Sequence, residues 1–185
     1  AAEASGVSKA FYDRLFLDEK RIDSMARSVE EIAAFEDPVG RIEKMTTRPS
    51  GIRVGQMRVP LGVVAVIYES RPNVTVDIAS LCIKSGNVAI LRGGEESIYT
   101  NIILASIIRD VLSKTGHNPD IVNFMEKLDR DLVPVLLKRD DSIDIVIPRG
   151  GEGLITMVVK ESTIPVIRHE KGLCHLFIDE SAVKK

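Results

Sequence analysis

A chain of 185 residues that is 44% hydrophobic and 28% charged has room for one domain, or one domain with an appendage, and carries no signature of disorder. Its formal charge of -2 argues against a nucleic-acid binder held by bulk electrostatics, which needs a basic excess on one face. No apolar run reaches the length that spans a bilayer, the start lacks the layout of a secretion signal, and the cysteines Cys82 and Cys174 are too few for a disulfide framework. The expectation is a cytoplasmic protein with neither membrane nor nucleic acid as partner. The chain starts without Met and stops where Asp179-Glu180 is placed to begin another helix, so a longer parent chain is expected.

In chain order, Ile22, Met25, Val29 and Ile32 recur at helical spacing, with Asp18 as N-cap and a break near Leu17, which predicts two helices before residue 39. Gly40, Pro49-Ser-Gly51 and Pro60-Leu-Gly62 then punctuate alternating segments, the pattern of an antiparallel hairpin. From there short apolar runs alternate with helical ones. Strands are predicted at 63–68, 88–92, 121–125, 143–147, 164–168 and 175–179, with helices ending at Gly86 and near Gly116 and two more after Asp129 and Gly153. The fold class is α/β, a doubly wound, mostly parallel sheet whose ligands are expected in the loops at the strands' carboxyl ends.

Three of those loops can carry chemistry. In Tyr68-Glu-Ser-Arg-Pro-Asn-Val-Thr75, Arg71 can meet a phosphate or carboxylate and Asn73 can donate to an oxyanion; equally, Asn73 can cap a helix while Arg71 pairs with Glu69. In Leu91-Arg-Gly-Gly-Glu-Glu-Ser-Ile98, Gly93 and Gly94 allow backbone amides to approach an anion, and Arg92 is placed for the 2′-phosphate that distinguishes NADP from NAD. The alternative there is a plain turn with a surface arginine. Ile147-Pro-Arg-Gly-Gly-Glu-Gly-Leu154 offers a second amide cradle at a helix start. Neither glycine loop has the G-x-G-x-x-G spacing, and no P-loop occurs. His169, Cys174 and His175 lack paired metal spacing, so no metal is expected; Cys174 and Cys82 read as structural thiols and the pairs Glu95-Glu96 and Asp140-Asp141 as solvated ends.

The runs Val59-Pro-Leu-Gly-Val-Val-Ala-Val-Ile-Tyr-Glu-Ser-Arg-Pro-Asn-Val-Thr75, Ser85-Gly-Asn-Val-Ala-Ile-Leu-Arg-Gly-Gly94 and Ile147-Pro-Arg-Gly-Gly151 together resemble the gamma-glutamyl phosphate reductase (glutamate-5-semialdehyde dehydrogenase) family of the aldehyde dehydrogenase superfamily. The resemblance continues through Asp37-Pro-Val-Gly-Arg41, Ser162-Thr-Ile-Pro-Val-Ile167 and Cys174-His-Leu-Phe-Ile-Asp-Glu180. It implies a cofactor domain without the usual glycine fingerprint and NADPH-dependent reduction of gamma-glutamyl phosphate in proline synthesis. By resemblance, Arg92, Gly93 and Gly94 lie by the adenosine ribose, and Pro148, Arg149, Gly150 and Gly151 by the pyrophosphate or nicotinamide ribose. Arg71 and Asn73 become substrate-binding candidates, with Asn73 as counterpart of the superfamily's oxyanion-binding asparagine. The family's nucleophilic cysteine sits in a motif resembling Arg-Pro-x-Thr-Cys-Asn, which this sequence does not contain, so the chain alone is expected to be inactive. The implied division is 1–38 as N-terminal helices, 39–60 as a hairpin toward an oligomerisation region and 61–185 as the dinucleotide-binding domain, in a homo-oligomer when intact. A non-catalytic nucleotide-binding module, or the reductase part of a kinase–reductase fusion, are the alternatives.

Overall fold

The computed structural model describes residues 15–69, 71–127 and 129–168, together with His175, Phe177, Asp179 and Ala182. Helix α1 (Glu19–Ala34) begins where expected: the Asp18 side chain accepts a hydrogen bond from the Arg21 amide at 2.8 Å, satisfying one of the first turn's free donors. The segment before it lies outside the described residues. Strands β1 (Ile42–Thr47) and β2 (Arg53–Met57) form the antiparallel hairpin, with a bulge between Glu43 and Thr46. Nearly every hairpin residue is exposed, including Ile42, Met45, Val54 and Met57.

The second sheet is parallel and four-stranded: β3 (Val63–Tyr68), β4 (Val88–Arg92), β5 (Val122–Phe124) and β6 (Ile145–Arg149) lie in the order β5-β4-β3-β6. Strand β3 is central, and five of its six residues, from Val64 to Tyr68, are buried. That burial accounts for the unbroken apolar run Val-Val-Ala-Val-Ile-Tyr, since a parallel strand covered on both faces has no polar side. Helices α2 (Pro72–Lys84) and α3 (Ile98–Lys114) follow β3 and β4. One core cluster gathers Val64, Val66, Tyr68, Leu91 and Val122 with Ala79 and Cys82 of α2 and Leu112 of α3. Helices α4 (Leu132–Leu136) and α5 (Glu152–Glu161) follow β5 and β6. A second cluster packs Ala65, Ile67 and Val146 against Val133, Leu137 and Val158. Adjacent β3 residues thus feed opposite layers, as a doubly wound sheet requires. Gly86 and Gly116 close α2 and α3 with φ of +70° and +79°, the left-handed step that stops a helix.

Three strand predictions need correction. The strand expected at 143–147 runs two residues later, so Pro148 belongs to it and is fully buried. Val146 bonds outward, its N–H to Pro165 O and its carbonyl to Ile167 N, both at 2.9 Å, whereas Arg149 O faces inward to Glu69 N at 3.1 Å. Alternation then turns the Pro148 nitrogen outward, past the last outer partner, where no ladder donor is needed. The strand expected at 164–168 is reduced to a single parallel bridge, Val146 with Val166, because Pro165 offers no donor. That at 121–125 keeps only Val122–Phe124, Ile121 being the end of the 3-10 turn Pro119–Ile121. Most of 175–179 lies outside the described residues.

Candidate functional site

All four strand ends open on polar loops, and their positions follow from the strand order. β3 is flanked by β4 on one side and β6 on the other, so the loops after β3 and β6 lead in opposite directions and leave a crevice between them. One wall of that crevice is fixed by a buried relay. Tyr68 Oη lies 2.7 Å from Thr75 Oγ1, Thr75 donates to Asn101 Oδ1 at 3.0 Å, and Asn101 Nδ2 donates to Ser97 Oγ at 3.0 Å. All four residues are buried, and burial pushes the Tyr68 phenol up to about 12, partly offset by its bond to Thr75. The relay ties β3, α2 and α3 to the turn Glu95–Ser97, so the loop after Arg92 is held from beneath. Sequence reasoning missed it. The only available signal was a Thr and an Asn on helix faces otherwise occupied by Ala79 and Ala105.

Gly93 sits over this relay. A Cβ there would overlap the Asn101 amide nitrogen and lie 3.3 Å from the Tyr68 ring, so the turn requires glycine for lack of space. Arg92, half-buried at the end of β4, donates to Gly93 O at 3.4 Å. Its guanidinium is held below the usual range, first by burial and then by Arg130, with Glu95 and Glu96 acting in the other sense. Arg92, Gly94, Glu95, Glu96 and Arg130 share a cleft of about 700 Å³ with Tyr68, Glu69 and the apolar wall of Leu154 and Met157. Glu95 and Glu96, read from the sequence as solvated ends, therefore line this cleft, and Arg130 was not anticipated.

Across the crevice, Gly151 is the N-cap residue of α5 and no side chain of the helix itself caps its end. The Gly151 amide is nevertheless engaged: Glu69 Oε1 accepts from it at 2.6 Å. A Cβ on Gly150 would come 2.7 Å from the Glu69 carboxyl group, and one on Gly151 3.2 Å. The carboxylate thus occupies the position an anion would take at the helix start, where backbone N–H groups and the helix dipole favour negative charge. Glu69 does not pair with Arg71, contrary to the simpler expectation for that loop. Pro148, expected in the turn, is fully buried inside the sheet, and Arg149 is exposed at its end.

Arg71 and Asn73 face a different space. Arg71 is the N-cap residue of α2 without a side-chain cap bond, and Pro72 takes the first helical position. Asn73 is inside the helix and donates to Asp77 Oδ2 at 3.1 Å, so it caps nothing. Pro72 displaces the cap toward Arg71 because proline is well tolerated at the first position. Ser28 of α1 donates to the other Asp77 oxygen at 3.1 Å. These residues and Arg21 line a groove of about 480 Å³ between α1 and α2. Cys82 is buried, and its thiol is pushed up to about 11 by burial, so little thiolate forms at neutral pH. His169 and Cys174 lie outside the described residues. Among the described residues no cluster of His, Cys, Asp or Glu could hold a metal, and no helix is long and apolar enough to cross a membrane.

No family model matches the chain. Individual relatives do. The chain is 50% identical over 181 residues to the gamma-glutamyl phosphate reductase of Thermodesulfovibrio yellowstonii and 53% identical over 181 residues to that of Persephonella marina, covering 98% of its own length each time. Over almost its whole length the chain is similar to one part of the gamma-glutamyl phosphate reductases. It spans less than half of these relatives, 43% and 41% of their lengths. The crystal structure of the Thermotoga maritima gamma-glutamyl phosphate reductase superposes with a TM-score of 0.91 at 42% identity, over 98% of this chain and 44% of that one. The fold extends further: a propionaldehyde dehydrogenase of Rhodopseudomonas palustris matches with a TM-score of 0.64 at 14% identity, over 90% of this chain and 43% of that one.

Proposed function

We propose that this chain is the dinucleotide side of an enzyme that reduces gamma-glutamyl phosphate with NADPH, releasing phosphate and glutamate-5-semialdehyde. The observation that carries the reading is the 50% identity with gamma-glutamyl phosphate reductase over nearly the whole chain. In this reading 61–185 is the dinucleotide-binding domain, 1–38 its N-terminal helical part and 39–60 a hairpin for self-association, supported by its exposed apolar residues.

Bound NADPH would supply the hydride. The protein's part is placement. Gly93 and Gly94 let the adenosine ribose approach the backbone, Arg92 meets the 2′-phosphate as a planar cation, and the amides at Gly150 and Gly151 receive the pyrophosphate once Glu69 withdraws. Arg149, exposed at the strand's end, flanks that turn; Pro148 acts only through the sheet. On the substrate side, Arg71 offers a fork for an anionic group, and Asn73 keeps one amide hydrogen beyond its bond to Asp77 for an oxyanion. The acyl group must be taken by a thiolate, which the buried Cys82 is unsuited to provide. The test is the reverse reaction in the full-length natural protein: phosphate-dependent reduction of NADP to NADPH with glutamate-5-semialdehyde, abolished by thiol alkylation. Cofactor binding with no turnover in either direction overturns the reductase reading in favour of a binding module.

A further inference from the structure

The cleft beside the end of β4 holds two guanidiniums, of which the proposed function uses one. Arg92 projects from a strand and is half-buried, so its position is set by the sheet. Arg130 comes from the loop between β5 and α4, is exposed, and lines the same cleft. The two are close enough that Arg130 is the second-largest influence lowering Arg92's proton affinity. Among the described residues the Arg130 side chain makes no hydrogen bond or ion pair. Like charges facing one another on the walls of a half-buried cleft repel, and an anion placed between them reverses the sign of the interaction. A phosphate monoester suits that place better than a diester, because it brings nearly two negative charges and three acceptor oxygens to two planar forks.

Resting on the NADPH reading above, we infer that Arg130 is a second specificity-determining residue, closing with Arg92 on the 2′-phosphate of the dinucleotide as a two-arginine clamp. Glu95 and Glu96 line the same cleft; they repel phosphate but accept hydrogen bonds from ribose or adenine donors, leaving the monoester to the cations. With NADH a neutral hydroxyl replaces the dianion. Arg130 therefore contributes to the choice between the two cofactors and little to their shared binding.

The test is the Kd of NADPH and of NADH, by titration of the full-length natural protein and its variants. Arg130→Gln is expected to weaken NADPH about tenfold, the scale of one lost charge-assisted hydrogen bond, and to leave NADH within about twofold. Arg130→Lys should recover part of the loss, as a point charge without the fork. Because Arg130 is exposed and its side chain has no partner among the described residues, the variants should melt with the parent protein, which separates lost binding from lost folding. Unchanged NADPH affinity in Arg130→Gln, or equal weakening of both cofactors, overturns the clamp while the reductase reading stands. A parent protein that binds neither cofactor overturns that reading as well.

Discussion

Replacing Gly93 with alanine is expected to lower folding stability by about 3 kcal/mol, although the change adds one methyl group. The added Cβ would overlap the Asn101 amide. Asn101 cannot swing aside, because it is fully buried and hydrogen-bonded to both Thr75 and Ser97. Displacing it leaves buried polar groups unsatisfied at about 1–3 kcal/mol each, and moving the backbone instead drags the Arg92 end of β4 out of register. Urea titration should show a lower midpoint at constant slope. Gly153 is the matched control: nothing lies within 4 Å of a Cβ there, and it sits inside α5. Its alanine variant should gain a few tenths to about 1 kcal/mol from helix propensity. Equal stability of Gly93→Ala and the parent protein would show that the turn is not held by the relay beneath it.

The second large effect is on cofactor choice. Arg92→Ala should weaken NADPH by about 2–3 kcal/mol, roughly 30- to 150-fold, while NADH changes little. The asymmetry arises because a half-buried cation is poorly screened by solvent and interacts strongly with a charged ligand, whereas a ribose hydroxyl exchanges one neutral partner for water. Arg92→Lys should lie between the two, since an ammonium keeps the charge and loses the fork. An unchanged preference for NADPH in Arg92→Ala removes this residue from the selectivity account.

Much of the parallel sheet was legible because its strands announce themselves by composition. The apolar runs at β3 and β4 have the bounds predicted, and Gly86 and Gly116 mark the helix ends they were expected to mark. Proline misled at β6 and beyond. Pro148 looked like a strand end but occupies an outward-facing edge position, and Pro165 cut an expected strand to one bridge. Periodicity cannot separate those cases, because which edge of a strand goes unpaired is a property of the assembled sheet. At the site, the glycine loops were found by their spacing relative to strands. What each loop faces was not, since Glu69 meets Gly151 across 82 positions and Arg130 shares a cleft with Arg92 only through the packing of β5 beside β4. Asn73 shows the same limit locally: as a lone letter it reads as a cap, and Pro72 moves the cap to Arg71.

At the helix start of Gly151, an internal carboxylate holds the amide to which the proposed reading brings a phosphate. A crystal structure of the full-length natural protein with NADPH tests this most directly. The expected result is the pyrophosphate within hydrogen-bond distance of the Gly151 amide, with the Glu69 carboxylate turned away and the 2′-phosphate against Arg92. A dinucleotide bound elsewhere, or one bound while Glu69 still holds the Gly151 amide at the 2.6 Å seen now, would contradict it.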